Sequence, residues 1–317
     1  MGSFVSPSSN HGTPVGFSPF ADRVSDATAN LVAALSSTTT EEFGFWAQAY
    51  GTAKERHAND ISSRYSYNSP GIAVGFDRKI NASLLLGASV GYSYSNVDMK
   101  DLSERATISA YTGSLYATWK YDPWYISAVG TYGYTTYDTK RNITFGTITR
   151  EADAFYHANV AGAYLEGGRK ITSTFVDIIP IAALSGNSLM RDSFNERNAN
   201  GLNLNADSET TSSVIGSLGV RLTKDYNSSS GVFVPELRVR WDHEFLNDRY
   251  VMNASFAGYP ATQFTVRADK PDRDSMALGT GLTWRTKNGI YINLSYDGHF
   301  SADTTQHSGV LGLRYLW

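Results

Sequence analysis

Apolar and polar residues alternate with a period of two through most of the chain after Phe43. Between Ser83 and Ser95, every even position carries Leu, Ala, Val or Tyr, whereas the odd positions are mostly Ser and Gly. This spacing predicts a long β-strand with one apolar face, because successive side chains of a strand point to opposite faces. Twelve such strands are predicted, and they cover residues 43–57, 64–78, 82–97, 104–121, 124–138, 149–167, 170–189, 209–223, 232–247, 273–286, 289–301 and 306–317.

The segment Gly87–Gly91 also matches the G-x-S-x-G pattern of a hydrolase nucleophile elbow. An elbow requires a sharp turn from strand into helix at the serine. Here the alternation continues through Ser89 and past it, which favours an uninterrupted strand.

Connections between the predicted strands are alternately short and long. The short turns are predicted at Asp77–Asn81, Tyr121–Trp124, Gly167–Lys170, Asp225–Gly231 and Thr286–Gly289. Short turns at one end and long polar loops at the other are typical of an outer-membrane β-barrel. We therefore predict an all-antiparallel barrel of about twelve strands, with both of its ends on the short-turn side.

The ninth predicted strand separates its two faces most clearly. Its apolar face carries Leu237, Val239, Trp241 and Phe245, and its polar face carries Arg238, Arg240, Asp242 and Glu244. Four charged side chains on one face of a strand cannot all point to lipid or to a dry core, so they are expected to line a polar lumen. Aromatic residues near the short turns predict a girdle at one membrane interface, formed by Trp119, Tyr121, Trp124, Trp284, Tyr315 and Trp317. The parity of strand 1 does not orient Trp46.

A single helix is predicted from Ser18 onward. The Ser18 side chain can cap its N-terminus, and Pro19 fits the first helical position. Apolar residues recur at helical spacing from Val24 to Leu35. Its 18 or so residues would span about 27 Å, close to the thickness of a bilayer core. Residues 1–17 are polar and are expected to be disordered.

Composition narrows the class further. The net charge of −3 argues against nucleic acid as a partner, and the absence of cysteine excludes disulfides and thiolate metal sites. No run of about 18 apolar residues is present, which excludes a helical membrane protein. The opening residues lack the pattern of a signal peptide, so the chain is either cytoplasmic or part of a longer secreted protein. No cofactor motif is found.

Ten segments in this order resemble the translocator β-barrel domain of autotransporters, the type V secretion family. They are FWAQAYG (Phe45–Gly51), GIAVGFDRKI (Gly71–Ile80), LLGASVGYS (Leu85–Ser93), DIIPIAAL (Asp177–Leu184), SFNE (Ser193–Glu196), LGVRL (Leu218–Leu222), PELRVRWDHEF (Pro235–Phe245), RDSMALGTGL (Arg273–Leu282), NLSYDG (Asn293–Gly298) and HSGVLGLRYLW (His307–Trp317).

The resemblance implies an all-β transmembrane barrel over residues 43–317 in the outer membrane of a Gram-negative bacterium. It implies a linker helix at residues 18–40 that passes through the lumen, preceded at 1–17 by an artificial start and a passenger remnant. The function implied is anchoring and export of the protein's own N-terminal passenger domain. The expected partners are that passenger, the barrel-assembly machinery and the lipid bilayer, and the barrel is expected to be a monomer without cofactor or enzymatic activity.

Two sets of residues are assigned roles. Charged lumenal residues that pair with each other or with the helix are predicted to be Asp22, Arg23, Asp26, Arg221, Arg238, Arg240, Asp242, Glu244, Arg273, Arg285, Asp297 and Arg314. Alternate outward residues of the last strand resemble a C-terminal assembly signal, and these are Leu311, Leu313, Tyr315 and Trp317. Many members of the family end in Phe, so the terminal Trp departs mildly from the pattern.

Other functions remain open on the sequence alone. A diffusion porin usually narrows its pore with an inserted loop, so a leading helix favours the translocator. An outer-membrane hydrolase would need residues such as Asp153, His157 and Ser193 to converge. Self-cleaving members of the family carry an Asn-Asn pair in the linker, and none lies between Ser18 and Ser37, so the resemblance does not imply self-cleavage in the lumen. The helix itself could alternatively lie in the membrane plane, but that position favours Lys and Arg on the polar face, and only Arg23 is available.

Overall fold

Long antiparallel strands form nearly all of the structure. The computed structural model describes residues 43–57, 64–99, 104–246, 250–267 and 272–317. Its strands, in chain order, are β1 (Phe43–Arg56), β2 (Tyr65–Lys79), β3 (Leu84–Met99), β4 (Glu104–Tyr121), β5 (Trp124–Phe145), β6 (Ile148–Arg169), β7 (Asp177–Arg191), β8 (Phe194–Asn195), β9 (Leu204–Ala206), β10 (Glu209–Thr223), β11 (Tyr226–Ser228), β12 (Gly231–Glu244), β13 (Val251–Phe256), β14 (Tyr259–Arg267), β15 (Asp274–Thr286), β16 (Ile290–Phe300) and β17 (Thr304–Leu316). The predicted helix at 18–40 and the segment 1–17 lie outside the described residues.

Twelve of these strands close into a barrel, which confirms the predicted fold class. Each long strand pairs with its neighbours in the sequence, β10 pairs with β12, and β1 pairs with β17. The closing pair is continuous to its ends, since the amides of Phe43 and Trp317 each donate to the other's carbonyl oxygen at 3.1 and 3.0 Å. Both barrel ends therefore lie on the side of the short turns, which is the periplasmic side.

The alternation in the sequence becomes an apolar outside and a polar inside. Ile72, Val90, Leu115 and Leu294 on the outer surface are each about 60 to 70% exposed. Such a belt is stable only in contact with lipid, because a soluble protein rarely exposes so large an apolar surface. Among the described residues, no helix is long and apolar enough to cross a membrane.

Aromatic side chains gather at the periplasmic rim. Trp119 and Tyr121 stack with ring centroids 5.9 Å apart, and Trp317 lies 6.2 Å from the rings of both Phe43 and Phe76. Trp284 differs from the others of the predicted girdle because it is half-buried and stacks on Phe233 at 5.7 Å.

Strand β1, whose parity was ambiguous, turns Trp46 into the barrel. The indole Nε1 donates to the Tyr116 hydroxyl at 2.6 Å. Sequence could not orient this strand because its outward positions include alanine and glycine, which give little apolar contrast.

Four connections differ from the prediction. Residues 139–148, expected to be a loop, extend β5 and β6 into a hairpin of two 22-residue strands that turns at Gly146, where φ is +57°. In residues 139–148, Thr and Ile residues keep the alternation of a strand, but the charged residues of the same segment made it resemble a loop. Strand β7 begins at Asp177 and not at 170, and the expected turn after Thr223 contains β11. The connection 301–303 between β16 and β17 is short although it lies on the loop side.

The two longest outer connections meet in a small second sheet, here called the cap sheet. It consists of β8, β9, β13 and β14, in the spatial order β14-β13-β9-β8. Leu204, Met252 and Ala254 form its buried core together with Tyr250. Burial of the Tyr250 side chain raises the pKa of its phenol, although the nearby Arg191 partly opposes that rise.

Candidate functional site: the barrel lumen

The periplasmic half of the lumen wall is built around the Glu166 carboxylate, which is 1% exposed. It accepts hydrogen bonds from the Tyr125 hydroxyl at 2.7 Å, the Tyr164 hydroxyl at 2.6 Å and Arg221 Nη2 at 3.2 Å. A buried carboxylate is tolerated only when its oxygens are paired and hydrogen-bonded, and Glu166 meets that condition.

From Arg221 the ion pairs continue around the wall. Arg221 Nε lies 3.5 Å from Glu236 Oε1, and that same oxygen lies 3.3 Å from Arg238 Nη1. Arg238 Nη2 then donates to Asp297 Oδ2 at 2.7 Å. The result is a chain of alternating charges from β6 to β16, so the wall is polar although it is largely withdrawn from water.

A glycine makes room for the pair between Arg238 and Asp297, which reach across β15 to meet. A Cβ atom at Gly279 would lie 2.2 Å from Asp297 Oδ1 and 2.8 Å from Arg238 Nε. Two residues further on, Gly281 occupies the same face, but its Cβ would meet other atoms only at 3.6 Å or more.

The same arrangement spans the closing seam. Arg314 on β17 donates to Asp77 on β2 across β1, and a Cβ at Gly44 would come within 2.7 Å of both side chains. The other oxygen of Asp77 accepts a hydrogen bond from Tyr116 at 2.9 Å. Asp77 is 1% exposed, so this pair is fully enclosed.

Further charges predicted to be lumenal lie towards the outer end. Arg240 Nε is 2.7 Å from Asp242 Oδ1, and Asp242 lies 3.8 Å from His299. Glu244 accepts hydrogen bonds from the Ser213 hydroxyl and, at 3.0 Å, from the Val214 amide.

The remaining predicted lumenal residues divide into three groups. Arg285 pairs with Asp225 at the periplasmic end. Arg273 is exposed and precedes β15, and its carbonyl oxygen accepts a hydrogen bond from the Glu244 amide at 2.7 Å. Asp22, Arg23 and Asp26 lie outside the described residues, and contact between the helix and the barrel remains a prediction.

Sequence reasoning did not assign roles to Asp77, Glu166 and Glu236, which pair with the predicted arginines. Each occupies an inward position of its strand, so extending the parity rule to strands with only one charge would have found them.

A cavity of about 430 Å³ opens at the periplasmic end of the lumen. Lys120, Lys170 and Arg285 line it together with Asp225 and Glu236. Charges of both signs at the entrance suit the passage of a hydrated polypeptide better than the binding of a small apolar ligand.

The hydrolase alternative is not supported at Ser89 or by the pair Asp153 and His157. Ser89 lies in the middle of β3, without the turn that an elbow needs. Asp153 and His157 are four residues apart on one face of β6, about 13 Å along a strand. His157 instead stacks on Tyr134, with ring centroids 5.2 Å apart.

Comparison with known proteins decides the class. The sequence model of the Autotransporter beta-domain family matches residues 45–297. The chain belongs to this family. The translocator domain of the autotransporter NalP from Neisseria meningitidis superposes with a TM-score of 0.71 at 17% identity, covering 94% of this chain and 99% of that one. The β-domain of the Bordetella autotransporter BrkA gives a TM-score of 0.64 at 21% identity, covering 87% and 99%.

Two curated relatives are much longer than this autotransporter β-domain. An extracellular serine protease of Serratia marcescens is 23% identical over 87% of this chain, which spans 26% of that protein. Outer membrane protein A of Rickettsia conorii is 23% identical over 86% of this chain, which spans 14% of it. The protease name describes a whole protein, whereas the matched part is the barrel. This autotransporter β-domain is an outer-membrane translocator domain.

We predict that Gly279→Ala separates Arg238 from Asp297 and lowers the free energy of unfolding by about 1 to 3 kcal/mol, because overpacking forces buried side chains apart. Gly281→Ala is the matched control and should change stability by less than about 1 kcal/mol. Urea unfolding in detergent, followed by tryptophan fluorescence, measures both. Equal stability of the two variants would show that the close approach at Gly279 is unimportant.

Proposed function

We propose that this barrel carries its own N-terminal passenger to the cell surface through its lumen. The observation that supports this most strongly is the position of Phe43 at the periplasmic end of a closed barrel with a charged, hydrogen-bonded lumen. A segment that precedes Phe43 and reaches the surface has to traverse the barrel. A diffusion porin is less well supported, since the family match is to an autotransporter β-domain.

Residues 18–40 form the helix that occupies the lumen in this proposal, and residues 1–17 continue towards the surface. The predicted helix length of about 27 Å fits the thickness of the membrane core. In this proposal Asp22 and Asp26 of the helix approach basic side chains of the wall that keep some exposure, such as Arg238 and Arg240. The energy for export comes from outside the barrel, from folding of the passenger and from the assembly machinery.

Removal of residues 1–37 is predicted to raise the conductance in planar bilayers, because the lumen loses its plug. Removal of residues 1–17 alone is the control and should leave the conductance of the intact chain unchanged. If both deletions conduct like the intact chain, the helix does not lie in the pore and export through this lumen loses its main support.

The last strand supports a role in assembly. Leu311, Leu313, Tyr315 and Trp317 all point outward, and each is about half-exposed. Since β17 pairs with β1 only once the barrel closes, its edge and outward side chains are accessible to the barrel-assembly machinery before closure. We expect the barrel to insert as a monomer, since pairing of β1 with β17 leaves the described strands of the barrel wall without an open edge for a second copy.

The double variant Tyr315→Ala with Trp317→Ala is predicted to reach the outer membrane in a smaller amount than the parent. The double variant Trp119→Ala with Tyr121→Ala removes another exposed aromatic pair at the same rim and serves as control. Heat-modifiable gel migration of outer-membrane fractions measures assembly, and refolding into detergent measures intrinsic folding. Normal detergent refolding with reduced assembly of the first variant alone is expected. Equal assembly of both variants and the parent would contradict the proposed signal.

A further inference from the structure

The cap sheet rests on the inner side of the wall formed by β5, β6 and β7. Arg141 donates to both carboxylate oxygens of Glu196, at 2.9 and 2.5 Å, and Tyr156 stacks on Phe194 with centroids 4.4 Å apart. Arg191 donates to the Asp207 carbonyl oxygen at 2.6 Å. Along their strands, Arg141, Tyr156 and Arg191 share the parity of lumenal residues such as Glu166, so the cap sheet is attached above the lumen and not to the lipid side.

The two faces of the cap sheet differ completely in chemistry. One face carries the row Phe194, Ala206, Ala254 and Phe264, which lies in register across all four strands and belongs to the apolar core of the cap sheet. Phe194 of this row is the residue that stacks on the wall. This face is therefore the one turned towards β6.

The opposite face is a patch of uncharged polar side chains, here called the amide face. Its residues are Asn195, Asn205, Asn253, Ser255, Gln263 and Thr265; Asn195, Asn253, Gln263 and Thr265 are exposed, Asn205 is half-exposed, and Ser255 is buried between them. Asn195, Asn205, Ser255 and Gln263 lie in one register row, which is about 14 Å wide at the usual spacing between strands. Val251 and Arg267 border the patch at one end.

Because the apolar face is packed against the wall, the amide face points away from the wall and towards the axis of the barrel mouth. A sheet that only shielded the wall would be expected to carry the mixed charges common on protein surfaces. The six residues of the amide face instead combine hydrogen-bond donors and acceptors with no charge.

We infer that the amide face is the surface over which the exported passenger leaves the barrel. This inference rests on the proposed function, because it requires a chain that emerges from the lumen. The relatives extend far beyond the part that this chain matches, and the segment before Phe43 starts from the periplasmic end, so an emerging chain has to pass this mouth.

Uncharged amides and hydroxyls suit a moving, unfolded chain. Their hydrogen bonds to the chain replace bonds to water and yield little net free energy, so no contact holds the chain for long. Apolar side chains would bury the apolar residues of the passenger, and charged ones would retain segments of opposite charge. The amide face is thus a hydrated guide for any sequence.

The test uses the full chain with a secretion signal and a reporter passenger joined to its N-terminus. Asn253→Leu with Gln263→Leu places an apolar patch on the amide face. Thr144→Leu with Thr149→Leu places the same side chains on an exposed cross-strand pair on the outward side of the hairpin and is the matched control. Pulse-labelled cells treated with external protease give the half-time of reporter exposure, and heat-modifiable migration gives the amount of folded barrel.

We expect the first variant to lengthen the export half-time several-fold with an unchanged amount of folded barrel, and the control to export like the parent. Asn253→Gln with Gln263→Asn keeps the amide chemistry and should also match the parent. If the first variant exports at the parental rate, or if the control is slowed equally, the inference is wrong. Failure of the parent to expose the reporter would instead contradict the proposed function itself.

Discussion

The enclosed ion pair between Asp77 and Arg314 bridges the seam where the chain closes on itself. It joins the second strand to the last one across β1, and it fits only because Gly44 has no side chain. Closure leaves no open strand edge in the barrel wall, which is the condition for a sheet to exist within a bilayer. The apolar exterior and the enclosed lumen both depend on this closure.

Pairs of the same kind explain how so many charges are held inside. The pair between Arg238 and Asp297 also reaches across one strand and over a glycine, Gly279. An isolated buried charge would be strongly unfavourable, whereas a paired and hydrogen-bonded one is tolerated. The described part of the lumen wall is therefore lined by charges that pair with each other, and it remains polar.

The barrel could be predicted from the sequence because the alternation of apolar and polar residues with a period of two follows directly from strand geometry. Twelve strands, their antiparallel order and the side of the short turns were all predictable. The extension of β5 and β6 was missed because lysine, arginine and asparagine in residues 139–148 resemble a loop by composition. The cap sheet was missed for another reason: strands as short as Phe194–Asn195 become strands only when two distant connections meet. Partners such as Glu166 could be found by parity, but the pairing of Arg314 with Asp77 across β1 depends on barrel closure, which local sequence does not encode.

The most direct test is to measure the coupling free energy between Asp77 and Arg314 across the closing seam. A double-mutant cycle with Asp77→Asn and Arg314→Met, measured as the free energy of unfolding in detergent, isolates the contribution of the pair. Each single change is predicted to cost about 3 kcal/mol, and the double change clearly less than the sum of the two, because a lone buried charge is worse than none. The exposed pair Asp98 and Arg105, at 3.4 Å, is the reference, and its coupling should stay below about 1 kcal/mol. Additive effects at Asp77 and Arg314 would contradict the claim that this pair couples β2 to β17 across the closing seam.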